Sequence, residues 1–262
     1  MPEVSVLIAT YRRRALLQRA LDSVFKQDFS DYELVVVDDC SPDDTPDLMH
    51  EMQSLDPRIR YIRLEKNIGS KYGDREILRR FAAYWARGNY FIYLCDDDYW
   101  LPKDLLSRSV EIMRKHPSVV QVMGAQVQVY PDAIGTVPFI REYWHYEEEP
   151  SVSNGLAMVG IFPDGLIRRN DFLELQALDP VTRNVLTGAS LFRKSAFARA
   201  GVLATRKGAQ WQAGYELTTG IATQGDTYYF DHPSIVSNVD IESASFRGTQ
   251  LSHLMDCLKS IN

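Results

Sequence analysis

The sequence predicts an α/β fold built on a mostly parallel sheet flanked by helices. Two observations carry that prediction. Short, near-continuous apolar runs, VSVLIA from Val4, ELVVV from Glu33, the stretch Ile59 to Leu64 and YFIYL from Tyr90, read as strands buried on both faces. Segments with helical spacing separate them, which is the alternation of strand and crossover that a parallel sheet requires. In such sheets ligands bind beyond the carboxyl ends of the strands, so the residues that follow each strand carry the functional information.

In chain order, the first strand is followed by Leu16, Leu17, Ala20, Leu21, Val24 and Phe25 at helical spacing. The second leads into Ser41-Pro42-Asp43-Asp44-Thr45, a helix start with Pro and acids in its first turn, and a helix around Asp47 to Ser54. After the third strand a helix is expected over roughly Asp74 to Arg87, ended by Gly88-Asn89 ahead of the fourth strand. The second half is less regular. Val119 to Gly124 and Gln126 to Tyr130 read as two strands, and Pro131 to Pro163 as a long loop or flap. LTGASLFRKSAFARAGVL reads as a strand running into a helix, and Tyr228 to Phe230 as a short strand before a turn at Asp231-His232-Pro233. Leu251, Leu254, Met255 and Leu258 mark an amphipathic helix that suits the core, a partner or a membrane surface. A boundary near residue 125 divides 1–125 from 126–262, and with no repeat or linker between them the halves are expected to pack directly together.

Composition narrows the function. The 262 residues carry 29 Lys+Arg against 35 Asp+Glu, a net charge of −6, which gives none of the broad phosphate attraction of a nucleic-acid binder. Cys40, Cys95 and Cys257 form no C-x-x-C pair, which argues against zinc and fits a reducing compartment, with the cytosol as the default. No apolar run approaches the ~18 residues of a membrane span, so attachment to the inner face of a membrane would be peripheral.

The strand ends are acidic. Thr10-Tyr11 follows the first strand, Asp38-Asp39 the second and Asp96-Asp97-Asp98 the fourth, so five carboxylates gather at one edge. Three consecutive aspartates repel one another, and solvent, protonation or a bound cation must relieve them. Oxygen ligands select Mg²⁺ or Mn²⁺, commonly together with phosphate oxygens of a substrate, which points to a metal-bound phosphate ester. A solvated acidic turn leading the helix near Pro102 is the other reading.

VSVLIATYRR, VVVDDCSPDDT, YLCDDDYWLP and TGASLFRKSAFARAGVL, in this order and spacing, resemble the motifs of the family 2 inverting glycosyltransferases with the GT-A fold. The first three cover the nucleotide-sugar half and the fourth the acceptor side. The resemblance implies a Rossmann-like sheet with a smaller acceptor-side sheet region. It also implies transfer of sugar from a UDP-sugar, or alternatively a dTDP-sugar, to a hydroxyl of a glycan, a lipid-linked saccharide or another acceptor. Residue roles follow from it. Ala9, Thr10 and Tyr11 would lie against the base, and Asp39 would accept the N3–H of uracil or thymine. Asp96 would meet the ribose hydroxyls, Asp97 would hold Mn²⁺ or Mg²⁺ on the diphosphate, and Asp98 would support that site from behind. Arg75 and Arg79, with Lys71 beside them, would face the diphosphate or else form a solvated helix face. Asp38 is either a ligand contact or a loop-ordering carboxylate.

Three positions depart from the family pattern. Cys95 stands where many relatives have Asp. Ala213-Gly214 replaces the Glu-Asp pair that supplies the base, which leaves Glu216 as the expected base and Asp226 as its alternative. Asp240 replaces a His that contributes to the metal or diphosphate, and is the expected further metal ligand. Trp100 is expected to pack behind the metal loop, Trp144 and Trp211 to line the acceptor pocket, and His232 and His253 to be structural or solvated. The missing acid pair keeps a second reading open, a nucleotide-sugar-binding protein without transferase activity. A nucleotidyltransferase is disfavoured, because ATYRRRALL has no glycine to form a triphosphate loop.

Overall fold

The apolar runs form the centre of one sheet because each buries both faces. The computed structural model describes residues 1–69, 83–129, 143–145, 155–158, 162–178, 187–200 and 212–238. Strand β1 (Val4–Thr10) pairs in parallel with β2 (Tyr32–Asp38) on one side and with β4 (Tyr90–Cys95) on the other. Strand β3 (Ile59–Arg63) continues the parallel set beyond β2. The order β3-β2-β1-β4 makes the chain step outward and then return to the far side of β1, so the topological switch point lies between β1 and β4.

Beyond β4 the sheet becomes mixed. Strand β10 (Ser190–Arg193) runs antiparallel between β4 and β6 (Val119–Val129), and β11 (Asp226–Asn238) runs parallel to β6. The two-residue strand β5 (Tyr99–Trp100) folds back antiparallel onto the end of β11, pairing Trp100 with Ile235 and Tyr99 with Val236. Strand β8 (Gly155–Met158) pairs antiparallel with the far part of β6, β7 (Tyr143–His145) pairs antiparallel with the other side of β8, and β9 (Gly165–Ile167) flanks β11.

Alternation along the strands divides the core between the two faces. Val4, Val6 and Ile8 meet helix α1 (Arg14–Phe25) through Leu17, Ala20, Leu21 and Val24. Helix α2 (Thr45–Leu55), with Pro46 in its first turn, adds Leu48 and Met49, and α3 (Leu105–Lys115) adds Leu106, Val110 and Met113. On the opposite face Leu7, Val35, Phe91 and Tyr93 meet Ala196 of α5 (Lys194–Ala200) and Leu217 and Ile221 of α6 (Gln212–Ala222). Helix α4 (Arg169–Leu178) places Phe172 against Phe162 and Tyr229 in a third cluster.

The second half is more continuous than its sequence suggests. Residues read as two strands form the single β6, and residue 125 lies in the middle of it. Asp231-His232-Pro233, read as a turn, is a bulged stretch within β11, where the register shifts on both sides of Pro233 accommodate its missing N–H. Gly124 makes room for that bulge, since a Cβ there would lie 2.2 Å from Ser234 Oγ. Strands β7 and β8 fall inside the stretch read as a loop. Most of the helix expected over Asp74 to Arg87, and all of the C-terminal one, lie outside the described residues.

At the amino edge of the sheet a buried carboxylate ties three strands together. Glu33 accepts hydrogen bonds from Ser5 Oγ at 2.7 Å, Arg60 Nη1 at 2.7 Å and the Arg87 N–H at 2.6 Å. Burial pushes this carboxyl upward, but these donors outweigh it and hold it below the ordinary range. The Gly88 N–H donates to Ser5 Oγ at 2.9 Å, and a Cβ at Gly88 would sit 2.7 Å from both the Ser5 nitrogen and the Tyr90 oxygen. Neither backbone atom can move without breaking the β1–β4 ladder. Gly88→Ala is therefore expected to cost about 3 kcal/mol of stability, read as a lowered midpoint in urea unfolding.

Candidate active site

The parallel register brings the strand ends level, with Ala9 opposite Cys95 and Thr10 opposite Asp38. The loops leaving β1 and β2 turn through left-handed backbone at Arg12 (φ 56°) and Cys40 (φ 62°). Such conformations in non-glycine residues are costly and persist only where surrounding contacts enforce them. The contact here is Ser41, whose Oγ accepts the Arg12 N–H at 3.0 Å.

Asp38 orders this junction. One of its oxygens accepts the Ser41 N–H at 2.9 Å and the other the Tyr61 hydroxyl at 2.6 Å, with the Arg63 guanidinium 3.6 Å away. Burial and the Asp38 charge push the Tyr61 phenol far above its ordinary range, so it remains the donor. The side chain of Asp38 is fully buried, which decides its two readings in favour of loop ordering. Asp39, also buried, accepts the Ile68 N–H at 2.7 Å and the Gly69 N–H at 2.9 Å. Each carboxylate oxygen retains a second lone pair, so these two bonds leave acceptor capacity.

The aspartate trio divides in two directions. Asp96 turns toward β1, where Oδ2 accepts the Thr10 hydroxyl at 2.9 Å and Oδ1 accepts Arg13 Nη1 at 3.1 Å. Arg13 also pairs with Asp97. Burial favours the neutral guanidinium, but Asp96 and Asp97 together raise its pKa above the ordinary value. Arg19 supports the loop from α1, donating to the Asp97 carbonyl at 3.0 Å while its guanidinium lies 4.7 Å from the Tyr99 ring centroid.

Asp98 faces the other way and is buried. Its carboxyl is pushed well above the ordinary range, first by burial and then by the charges of Asp97 and Asp96, and Ser237 and Cys95 offset this only in part. The Cys95 sulfur and one oxygen each from Asp97 and Asp98 lie within 4.8 Å of one another, a spacing that a metal ion can bridge. Asp98, expected behind the site, is thus a member of this group, while Asp96 is outside it. Beneath the loop, Trp100 Nε1 donates to the Gly188 oxygen at 2.8 Å, in the packing role expected of it. Gly188 belongs to a 3₁₀ turn (Thr187–Ala189), and a Cβ there would meet Ile235 Cδ1 at 2.5 Å.

Other expected residues are placed as follows. Ala9 and Thr10 end β1, and Tyr11 stands at the mouth, 36% exposed. Glu216 lies in α6, with its side chain outside the described residues, as are Arg75, Arg79, Lys71, Trp211 and Asp240 altogether. His232 is exposed on the β11 bulge, as expected of a solvated histidine. Arg13 is the residue that sequence reasoning missed. Its signal was an arginine run immediately after a strand that ends beside an acidic edge.

Asp226 requires a correction. It begins β11 opposite Val119 at the start of β6, and β10 runs antiparallel to both β4 and β6, so Asp226 lies at the edge opposite the acidic trio. There it accepts the Arg169 N–H at 2.9 Å and pairs with Arg168 at 3.0 Å, capping α4. It is a structural carboxylate and no alternative base.

Comparison with known proteins bears on the family and the fold. A family model described as Glycosyl transferase family 2 matches residues 5–201. The chain is 32% identical over 123 residues to a putative teichuronic acid biosynthesis glycosyltransferase, TuaG, of Bacillus subtilis, covering 47% of this chain and 46% of that protein. It is 28% identical over 173 residues to the GalNAc(5)-diNAcBac-PP-undecaprenol beta-1,3-glucosyltransferase of Campylobacter jejuni, covering 66% of this chain and 48% of that protein. The chain therefore spans about half the length of these relatives. Among solved structures, S. aureus TarS 1–349 in complex with UDP-GlcNAc superposes with a TM-score of 0.66 at 17% identity, covering 95% of this chain and 62% of that one. A mannosyltransferase of Pyrobaculum calidifontis, PcManGT, in complex with GDP-Man and Mn²⁺, superposes at 0.58 with 16% identity, covering 94% of this chain and 59% of that one. Likeness at these identities establishes the fold, which is GT-A.

The correction at Asp226 is testable through pH. Burial pushes this carboxyl upward, but the Arg169 amide, Ser118 and Arg168 outweigh it and depress the pKa. Its stabilising share is complete above the unfolded carboxylate value and is lost as pH falls through the depressed folded value. Asp226→Asn should cost about 1 kcal/mol at neutral pH and flatten the acid limb of the stability profile, while UDP affinity stays unchanged.

Proposed function

The chain belongs to glycosyl transferase family 2, and from that premise we propose that it is a cation-dependent inverting transferase that uses a UDP-sugar, with a dTDP-sugar as the alternative donor. The observation that carries this reading is the group formed by Cys95, Asp97 and Asp98 at the β1/β4 switch point, where burial first and neighbouring negative charge second push the Asp98 carboxyl well above its ordinary range. A divalent cation fits these donors, and Asp97, Asp98 and Cys95 would hold it. When bound, it would offset charge on the departing diphosphate. Sulfur is a poor partner for Mg²⁺, so the donor set favours Mn²⁺.

The remaining groups are given the roles that the family resemblance implies. Ala9, Thr10 and Tyr11 form the surface on which the base lies. Asp39 accepts the base N3–H with the capacity left by Ile68 and Gly69. Asp96 meets the ribose while sharing its oxygens with Thr10 and Arg13. Arg75 and Arg79, outside the described residues, would supply positive charge to the diphosphate, and Asp240, likewise outside them, would add an oxygen donor to the cation. Glu216 takes the proton of the acceptor hydroxyl as that oxygen bonds to the anomeric carbon. The bond from that carbon to the diphosphate breaks on the opposite side, its electrons leave with UDP, and the configuration inverts.

The acceptor is read as a glycan or lipid-linked saccharide in polysaccharide biosynthesis, in keeping with the undecaprenol-linked substrate named for the C. jejuni relative. No helix among the described residues is long and apolar enough to cross a membrane. Work on such acceptors at the cytoplasmic face would rest on peripheral contact. A second reading, a nucleotide-sugar-binding protein without transfer, is favoured by one observation, Ala213-Gly214 in the first turn of α6 where the family places its acid pair.

Incubation with UDP-sugars, Mn²⁺ and an acceptor pool should release UDP. UDP binding with no release from any donor would establish the binding-protein reading instead. Asp97→Asn should lower the release rate by about 10²-fold or more. Glu216→Gln should abolish transfer and spare UDP affinity, whereas a full rate would remove it as the base. Mn²⁺ should support a higher rate than Mg²⁺, and Cys95→Asp should narrow that preference.

A further inference from the structure

Among the described residues, Arg13 is the arginine whose charge contacts both Asp96 and Asp97. It immediately precedes α1, and its side chain, 18% exposed, crosses from the β1 loop to the β4 loop to pair with both Asp96 and Asp97. Asp97 is also one of the three groups close enough to share a metal ion. A guanidinium and a divalent cation on the same carboxylate would lie within a few ångströms of each other, in a site where little solvent screens them. Their repulsion makes occupation by one unfavourable to the other.

A nucleoside diphosphate changes that balance. It brings concentrated negative charge to the same strand ends, with planar oxygen arrays that a guanidinium matches as well as it matches a carboxylate. Arg13 sits on a loop and reaches Asp97 through a flexible side chain, whereas Arg19 is fixed behind the loop by the Asp97 carbonyl and the Tyr99 ring. Arg13 can thus leave Asp97 while the loop keeps its shape.

We propose that Arg13 is an exchangeable internal counter-ion, competing with the divalent cation for Asp97 and transferring to the diphosphate of the donor, so that cation and nucleotide bind cooperatively. The inference rests on the cation-dependent reading above and deepens it. After transfer, departure of UDP would return Arg13 to Asp96 and Asp97 and weaken the hold on the cation.

Equilibrium binding of Mn²⁺, followed by the electron paramagnetic resonance signal of the free ion, tests this with and without UDP. In the unaltered protein UDP should tighten Mn²⁺ binding by about tenfold or more, and by linkage Mn²⁺ should tighten UDP equally. Arg13→Gln should bind Mn²⁺ alone roughly tenfold more tightly than the unaltered protein, with a smaller gain from UDP. Arg13→Lys, which keeps the charge without the bidentate geometry, should fall between the two. If Arg13→Gln binds Mn²⁺ alone no more tightly, or keeps the full gain from UDP, the competition is refuted. If none of the three proteins binds Mn²⁺ with or without UDP, the cation-dependent reading itself is overturned.

Discussion

The parallel ladder that sets Ala9 against Cys95 and Thr10 against Asp38 decides where the carboxylates of the described site stand. Level strand ends bring three loops together from separate parts of the chain, and the gap between β1 and β4 opens because the chain reverses its direction of travel there. Val4, Val6 and Ile8 on one face and Leu7 on the other fix that register, since a slip of one residue would carry each set to the opposite face and break its packing against the helices there. Geometry needed for chemistry is therefore maintained by hydrophobic packing some distance beneath it.

Concentrating five carboxylates at this edge creates an electrostatic problem that the protein resolves locally. Asp38 is matched by a backbone N–H and a phenol, Asp39 by two backbone N–H groups, and Asp96 by a hydroxyl and a guanidinium. Asp97 shares the guanidinium of Arg13. Asp98 is left with polar neighbours too weak to offset its burial. The edge is thus graded, from the fully satisfied Asp38 and the backbone-bound Asp39 at β2 to Asp98 at β4, whose burial is poorly offset.

Much of this could be read in the sequence, for reasons visible in particular residues. Strands β1, β2 and β4 are unmistakable because runs such as LVVV have no other economical burial. β6 was divided in two because Gly124 and Ala125 interrupt its pattern, although Gly124 is there to admit Ser234 from the neighbouring strand. β11 was shortened at Pro233 because a ladder bulge leaves no local signature distinct from a turn. Asp38, Asp39 and the aspartate trio were found by their position after strands. The same rule, applied consistently, places Asp226 at the wrong edge, since it precedes its strand. Arg13 was not separable from Arg12 and Arg14, because only the turn at Arg12 decides which of the three side chains crosses to β4.

The pairing of β5 with β11 has a consequence for ligand binding. Asp96 to Asp98 are held between β4 on one side and β5 on the other, so three residues join two hydrogen-bonded strands with no slack. The conformational entropy of this turn is lost when the chain folds and need not be lost again when a donor arrives. Its carboxylates are preorganised, and adjustment on binding falls to side chains that reach in from other loops.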